Sequence, residues 1–191
     1  LPISGQVKSL VGGRGKQPPL SFNRATEFYR AAGSSIKPLS VYGPAIDTKT
    51  ATAATIFDDA PVPSEIGSRY VGSGEKPYNP KNSPDVFEGS MTLREALLKS
   101  KNVVAVRIED QLGLKKGAEY AQKFGLKLNA ADEGSIAAVS LGELSGVVGK
   151  SGTNTLTMAA AYGVFGNKGM LSKPILYTKV IDRLGKTVLE N

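Results

Sequence analysis

A serine and a lysine three residues apart are the first chemical feature of this sequence. They are Ser34 and Lys37, in the run Gly33-Ser34-Ser35-Ile36-Lys37. In a helix this spacing places both side chains on one face, so the lysine can take the proton of the serine hydroxyl. Backbone N–H groups at the positive end of the same helix would lie where a tetrahedral oxyanion forms. One short segment could therefore supply a nucleophile, a base and part of an oxyanion hole.

Ser100 and Asn102 are a second candidate pair, separated by Lys101 at the junction of two predicted helices. On a turn, a hydroxyl and a carboxamide two residues apart can face one cleft. The hydroxyl would pass protons and the carboxamide would hold a substrate amide.

Each spacing recurs elsewhere, so each is a weak signal by itself. Ser73 and Lys76 repeat the first in a Gly/Pro-rich loop, where no helix fixes the spacing, and residues 21–23 repeat the second. Two ordinary interpretations stay open. Ser34 could be a helix cap followed by a surface lysine, and Ser100 could lie in a plain turn between helices.

Composition removes several classes of active site. The 191 residues include no histidine, which excludes a Ser-His-Asp triad, and no cysteine, which excludes a thiol nucleophile, a thiolate metal site and a disulfide. The base of a hydrolase or transferase must then be Lys, Asp, Glu or Tyr. With 40% hydrophobic and 21% charged residues and no long apolar run, the segment is typical of one soluble globular domain.

Periodicity and turn residues predict the elements that position these side chains. Residues 5–13 indicate a strand that enters a glycine turn. A helix is expected to start at Ser34, with a serine at its N-cap and Pro38 near its first turn. Residues 47–90 lack periodicity and predict a long, irregular and largely exposed segment.

Helices dominate the second half of the sequence. Thr92 and Glu95 form a capping-box pattern at the start of one helix. A second helix ends at Gly113, and the two meet around residues 100–102. Further elements are predicted farther along the chain: helices at about 115–124 and through LTMAAAYGVF, and two strands around Leu184-Gly185. No internal repeat or domain boundary is evident.

In this order, the motifs resemble the transpeptidase domain of the bifunctional, class A penicillin-binding proteins. The matching runs cover nearly the whole chain: GQVKSLVGGR, FNRAT, GSSIKP, YNPKN, FEGSMTLREAL with Ser-Lys-Asn, VSLGELSG and TLTMAAAYGVFGNKG. Two positions depart from the family pattern: Ala32 stands where proline is common, and Ile36 where an aromatic residue is common. The resemblance implies an α+β fold like that of penicillin-binding proteins and serine β-lactamases, with an antiparallel sheet packed with helices and a helical subdomain.

The resemblance also implies a reaction and a role for each site residue. The reaction would be D,D-transpeptidation of peptidoglycan stem peptides through an acyl-enzyme on Ser34, the residue that β-lactam antibiotics would also acylate. Lys37 would be the base, Ser100 a proton relay and Asn102 the residue that positions the acyl amide. The Ser34 N–H would supply one oxyanion donor. No cofactor and no metal are implied. The full-length protein would lie at the extracytoplasmic face of the bacterial membrane, held by an N-terminal anchor outside this segment.

The family's third motif, Lys-Thr-Gly or Lys-Ser-Gly on an edge strand, has a literal match that starts at Lys150. We reject this match because its flanks predict a loop and a helix start capped by Thr153 or Asn154, rather than an alternating strand. In the family, the motif follows the hairpin that ends this chain. We therefore expect residues 1–191 to be a partial transpeptidase domain with an incomplete sheet, which a second polypeptide completes, and to be unstable or inactive alone.

Two alternative functions stay open. A serine β-lactamase would share the fold and the early motifs, although nothing in residues 103–150 resembles a deacylating glutamate loop. A non-catalytic basic module for nucleic acid or wall polymer would explain the net charge of +7. However, the basic residues are scattered and only 7% of residues are aromatic, so we expect no nucleic-acid partner.

Overall fold

Helices predominate in the structure. The computed structural model describes residues 3–71, 75–146 and 151–191. The α-helices are α1 (Gly43–Asp47), α2 (Ser64–Gly67), α3 (Leu93–Leu98), α4 (Asn102–Leu112), α5 (Leu114–Lys123), α6 (Ala130–Glu133), α7 (Ile136–Leu141) and α8 (Thr155–Gly166). The strands are β1 (Ile56–Asp59), β2 (Gly89–Thr92), β3 (Lys179–Ile181) and β4 (Thr187–Glu190).

These elements group into two compact units, although the sequence shows no domain boundary. One unit comprises residues 29–153, and the other combines residues 1–28 with 154–191. Because the second unit draws on both ends of the chain, no single linker separates the two, and a search for a linker composition could not find the division.

The core of the unit formed by residues 29–153 is built around α4. Val103, Val104 and Ile108 are completely buried in this helix, which is apolar on most of its faces and is therefore surrounded by other elements. The predicted capping box at the preceding helix is confirmed. The Thr92 hydroxyl accepts from the Glu95 N–H at 3.2 Å, and the Glu95 carboxylate accepts from the Thr92 N–H at 2.8 Å.

The segment after Gly33 is helical but not the regular helix with a serine cap that the sequence predicts. A 3-10 turn (Gly33–Ile36) leads into a π-helical stretch (Pro38–Tyr42) and then α1, and Ala32 occupies the N-cap without a side-chain hydrogen bond. Pro38 and Pro44 lack the N–H that an α-helical ladder needs. The hydrogen bond at the end of this stretch spans five residues instead of four, because the Gly43 N–H donates to the Pro38 carbonyl.

Residues 47–90 contain a strand that the sequence analysis missed. β1 pairs antiparallel with β2, with Ile56 opposite Thr92 and Asp59 opposite Gly89. Burial alternates along β1, but one of its two buried residues is Asp59. A buried aspartate breaks the apolar alternation by which a strand is recognised, so the segment was wrongly predicted to be irregular.

The unit made from the chain ends confirms some predictions and corrects one. The Asn154 side chain caps α8 by accepting from the Thr157 N–H at 2.8 Å, and β3 and β4 form the predicted terminal hairpin. The predicted strand over residues 5–13 is reduced to a single parallel bridge between Gln6 and Ile175. Within the described residues no further strand lies beside this segment, so its remaining backbone groups have no ladder to join.

Glu109 is a buried acid on α4. It is fully buried, and neither carboxyl oxygen has a hydrogen-bond partner among the described residues. Burial raises the pKa of Glu109 from 4.5 to about 9, so the native protein holds this proton at neutral pH while the unfolded chain releases it. Because the folded pKa is the higher one, the contribution of Glu109 to stability falls as the pH rises from about 4.5 towards 9.

Replacing this acid should stabilise the protein in a pH-dependent way. Glu109→Gln keeps the shape of the protonated acid but cannot ionise on unfolding, so we expect the unfolding free energy to rise by about 1–3 kcal/mol at pH 8 and by much less at pH 4.5. Denaturant unfolding at the two pH values measures this difference. Glu75→Gln, at an exposed position, is the control. An equal effect of Glu109→Gln at both pH values would contradict a protonated Glu109.

Candidate active site

Lys37 is the centre of the candidate site. Its side chain is buried, and its Nζ donates to the Ser100 carbonyl at 2.7 Å, to Ser100 Oγ at 3.2 Å and to Asn102 Oδ1 at 2.7 Å. These three bonds use the complete donor set of an ammonium group. All three acceptors are uncharged, and burial lowers the pKa of Lys37 from 10.5 to about 8. The lysine can therefore lose a proton near neutral pH.

Ser34 lies one 3-10 turn before Lys37 and is exposed. In 3-10 geometry the side chains at positions i and i+3 are aligned, which keeps this pair on one face. The turn starts at Gly33, which has a φ of 57° and donates its N–H to the Gly142 carbonyl at 3.1 Å. Among the hydrogen bonds of the described residues, none joins Ser34 Oγ to Lys37 or Ser100. The structure thus brings Lys37 and Ser100 together and gives the Ser34 hydroxyl no hydrogen bond to another described residue.

Ser100 occupies a strained position just after α3. The Ser100 N–H donates to the Leu97 carbonyl at 3.0 Å and the Lys101 N–H to the Ala96 carbonyl at 2.9 Å, the pair of bonds of a Schellman motif. Ser100 has a φ of 54° at the position where such a motif favours glycine. A side chain costs about 1 kcal/mol in this left-handed conformation. In it, the carbonyl oxygen and the hydroxyl of Ser100 both bind Lys37.

Asn102 begins α4, and its side chain is held from both ends. While Oδ1 accepts from Lys37, Nδ2 donates to the Lys81 carbonyl at 2.7 Å, which fixes the orientation of the amide. The backbone N–H of Asn102 donates to Asn82 Oδ1 at 2.9 Å. Sequence reasoning missed Asn82 as a site residue, because its only signal was the run YNPKN within the family resemblance.

Sequence reasoning also missed the surroundings of Lys101, between the two site residues of this turn. The Lys101 side chain is 7% exposed and forms ion pairs with Asp59 at 2.7 Å and Glu88 at 2.8 Å. A cavity of about 330 Å³ adjoins this turn, with Glu88, Lys99 and Ser100 in its lining. The motif Ser-Lys-Asn does not by itself indicate that its lysine is buried, because Asp59 and Glu88 lie outside the motif in the sequence.

Comparison with known proteins identifies the family of this chain. The sequence profile described as "Penicillin binding protein transpeptidase domain" matches residues 2–191. The chain belongs to this family. Penicillin-binding protein 1A of Clostridium tetani is 70% identical over 189 residues, which is 98% of this chain and 24% of that protein. Penicillin-binding protein 1A of Clostridium acetobutylicum is 56% identical over 190 residues, 98% of this chain and 23% of that protein. The chain thus spans about a quarter of the length of these relatives.

Solved structures confirm the fold. The crystal structure of penicillin-binding protein 1A from Haemophilus influenzae matches with a TM-score of 0.70 and 35% identity, covering 89% of this chain and 23% of that chain. The penicillin G acyl-enzyme complex of penicillin-binding protein A from M. tuberculosis matches with a TM-score of 0.69 and 20% identity, over 91% of this chain and 40% of that chain, and supports the fold alone. The expected α+β class and the resemblance to class A penicillin-binding proteins are thereby confirmed.

Two positions named in the sequence analysis, Lys150 and Ser73, lie outside the described residues. The serine that follows Lys150 is described. Ser151 is buried, and its hydroxyl donates to Asp132 and accepts from the Ser145 hydroxyl at 2.8 Å. The next two residues form only single-residue bridges before the cap of α8. Ser151 therefore belongs to a buried polar cluster in a loop, as its flanks predict.

No group of three or more acidic side chains in the described residues is placed to hold a metal ion. Across those same residues, no helix combines the length and the apolar character needed to cross a membrane.

The strained position of Ser100 allows its hydroxyl to be tested apart from folding. We expect Ser100→Gly to keep or raise the melting temperature, because glycine suits a positive φ, while acylation by penicillin slows by about 10²-fold without the hydroxyl. Ser100→Ala, which keeps the Cβ, should slow acylation equally without the gain in stability. Melting curves and stopped-flow acylation rates measure both effects. Full-rate acylation of Ser100→Gly would show that the hydroxyl takes no part.

Proposed function

We propose that this chain carries the acylation centre of a serine-type D,D-transpeptidase that cross-links peptidoglycan stem peptides. The observation that carries the proposal is Lys37, which is buried among uncharged acceptors, has a pKa of about 8 and lies one helical turn after an exposed Ser34. Membership in the penicillin-binding protein transpeptidase family supports the same reaction class. Because the chain spans about a quarter of its relatives, the activity belongs to the complete protein. We assign that protein to the extracytoplasmic face of the cell membrane, where stem peptides are cross-linked.

The hydrogen bonds of Lys37 suggest how it becomes a base. Neutral Lys37 has two N–H groups and a lone pair, so one of its three acceptors must be released on deprotonation. The bond to Ser100 Oγ is the longest, at 3.2 Å, and is the one we expect to be released. The lone pair then takes the proton of the Ser34 hydroxyl as Ser34 Oγ bonds to the penultimate D-Ala carbonyl carbon.

Acyl transfer is completed in two further steps. The C–N bond to the terminal D-Ala breaks, and the leaving amine takes the proton from Lys37, relayed by Ser100. An amine of a neighbouring stem peptide then attacks the ester, gives up its proton to the same relay and restores the Ser34 hydroxyl. The Ser34 N–H donates to the oxyanion in both halves of the reaction.

Asn102 is the residue that we assign to the acyl amide of the substrate. One N–H of its Nδ2 donates to the Lys81 carbonyl, so the second is the group that would donate to a substrate carbonyl. The same amide holds Lys37 through Oδ1, which would couple the position of the substrate to that of the base.

We propose that residues outside 1–191, on the same or a second polypeptide, complete the sheet of the domain. The support is the terminal hairpin, in which every residue of β3 and β4 is exposed. Its exposed apolar side chains include Val180, Ile181 and Leu189. Open strand edges and apolar faces of this kind are normally covered in a folded protein.

Labelling with penicillin tests the nucleophile and the completeness of the domain together. The complete protein should gain one penicilloyl adduct, on the peptide that contains Ser34, by intact-mass and peptide mass spectrometry. Ser34→Ala should abolish the adduct, and Ser35→Ala, a matched change at the next residue, should retain it. Residues 1–191 alone should label about 10²–10³-fold more slowly, the effect of losing one oxyanion donor.

Three outcomes would count against these assignments. An adduct on Ser73, or no adduct on the folded complete protein, would overturn Ser34 as nucleophile. Rapid release of hydrolysed penicillin would favour a β-lactamase. Full-rate labelling of residues 1–191 alone would show that the site needs no further strand.

The pH dependence of acylation tests Lys37 as the base. Because the reactive form is the neutral amine, the acylation rate should rise about tenfold per pH unit below the midpoint and level off above about pH 8. Lys37→Arg, which stays protonated, should remove nearly all activity at every pH. Lys76→Arg, in the second copy of the Ser-x-x-Lys spacing, is the control and should not change the profile. A wild-type rate that is independent of pH between 6 and 9 would contradict this role.

A further inference from the structure

The turn that binds Lys37 is anchored on its far side by a second buried lysine. Lys101 lies between Ser100 and Asn102, but its Nζ contacts Asp59 at 2.7 Å and Glu88 at 2.8 Å, and also reaches the Val86 carbonyl at 3.2 Å. Adjacent residues of one short motif therefore contact two different sets of partners.

Asp59 is held by more than this ion pair. Asn82 Nδ2 donates to one of its carboxylate oxygens at 2.6 Å, and the Glu88 N–H donates to the other at 3.0 Å. Burial alone would raise the pKa of Asp59, but the hydrogen bonds from Lys101, Asn82 and Glu88 lower it. Burial would likewise lower the pKa of Lys101, and its two acids raise it. Both members of the pair are therefore charged at neutral pH.

Asn82 links this ion cluster to the start of α4. Its Oδ1 accepts from the Asn102 N–H at 2.9 Å and from the Val103 N–H at 3.3 Å. Lys101, at the N-cap of α4, makes no side-chain capping bond, so Asn82 satisfies these first-turn donors in its place. The cluster thereby ties the turn to β1 and to the segment before β2.

We propose that Lys101 is a positioning residue, whose ion pairs with Asp59 and Glu88 hold the Ser100–Asn102 turn in the conformation that binds Lys37. Ser100 is strained in this conformation, and two local backbone hydrogen bonds hold it there. The ion cluster adds a restraint from β1 and from the segment before β2. The proposal rests on the proposed function for its activity measurement, but not for its measurement on Lys37 itself.

Loss of the Lys101 ion pairs should change the pKa of Lys37 as well as the rate of acylation. The groups that bind Lys37 Nζ are all uncharged, whereas the charged groups around the turn, Asp59, Glu88 and Lys99, contact Lys101 or one another. If the turn loosens, water reaches Lys37, and its pKa should move up from about 8 towards 10.5. A change in global stability alone would leave the pKa in the folded protein unchanged.

The test compares Lys101→Met with Lys99→Met in the protein that carries this chain. Lys99 is also paired with Glu88, but its side chain is 47% exposed, so it controls for loss of one positive charge beside the same acid. We expect Lys101→Met to lower the rate of Ser34 acylation by penicillin at pH 7 at least tenfold and to move the midpoint of the pH profile up by about one unit. Lys99→Met should match the wild type in both.

A second variant separates positioning from stability. Lys101→Met leaves Asp59 buried without a countercharge and could reduce folding. Lys101→Met combined with Asp59→Asn removes that charge and should restore the melting temperature while the raised midpoint remains. Recovery of both the rate and the midpoint in the double variant would overturn the proposal, as would a Lys101→Met protein with a wild-type profile.

A direct titration keeps this result separate from the proposed function. NMR of ¹³Cε-labelled lysines, with the Lys37 signal assigned by Lys37→Arg, should report a higher pKa in Lys101→Met than in the wild type and in Lys99→Met. An unchanged Lys37 pKa in Lys101→Met would overturn the positioning role. A raised pKa in a protein that penicillin never acylates would support the positioning role and refute the proposed function.

Discussion

The arrangement of the site depends on the burial of one ammonium group, that of Lys37. A buried charge must be solvated by the protein, and here a carbonyl, a hydroxyl and a carboxamide oxygen do so. Had a carboxylate stood in place of one of them, it would favour the charged form of the lysine and raise its pKa above the value of about 8. In its left-handed conformation, Ser100 presents two uncharged oxygen atoms to this lysine.

Lys37 contacts the turn at residues 100–102 and Lys101 belongs to it, yet the pKa values of the two lysines are shifted in opposite directions. Both are buried, and burial disfavours the charge of both. The two carboxylates around Lys101 outweigh that effect and raise its pKa, whereas Lys37 has no carboxylate partner among the described residues. One lysine is therefore suited to exchange a proton and the other to remain a fixed positive charge. The difference lies in the partners that the fold supplies, since the residue type is the same.

The scaffold holds the site by long-range contacts to a rigid helix. α4 is surrounded by apolar side chains, and its first residue is the site residue Asn102. Asn82 and Asp59 come from distant parts of the chain and meet at the start of this helix. A buried helix on one side and an ion cluster on the other leave this turn little conformational freedom. The turn can therefore hold Lys37 in the fixed position that the proposed acyl transfer requires of its base.

The sequence alone determined the features that depend on neighbours in the chain. The capping box at Thr92, the end of α4 at Gly113, the cap of α8 and the terminal hairpin are all local and follow from backbone preferences. The ordered motifs also sufficed to suggest the family. Only the tertiary structure decided the pairing of β1 with β2, the burial of Lys101 against Asp59, the contact of Ser100 with Lys37 and the division into two units. Each of these features depends on groups that are far apart in the sequence. A buried polar residue cannot be told from an exposed one by its residue type, so no periodicity or spacing could predict these features.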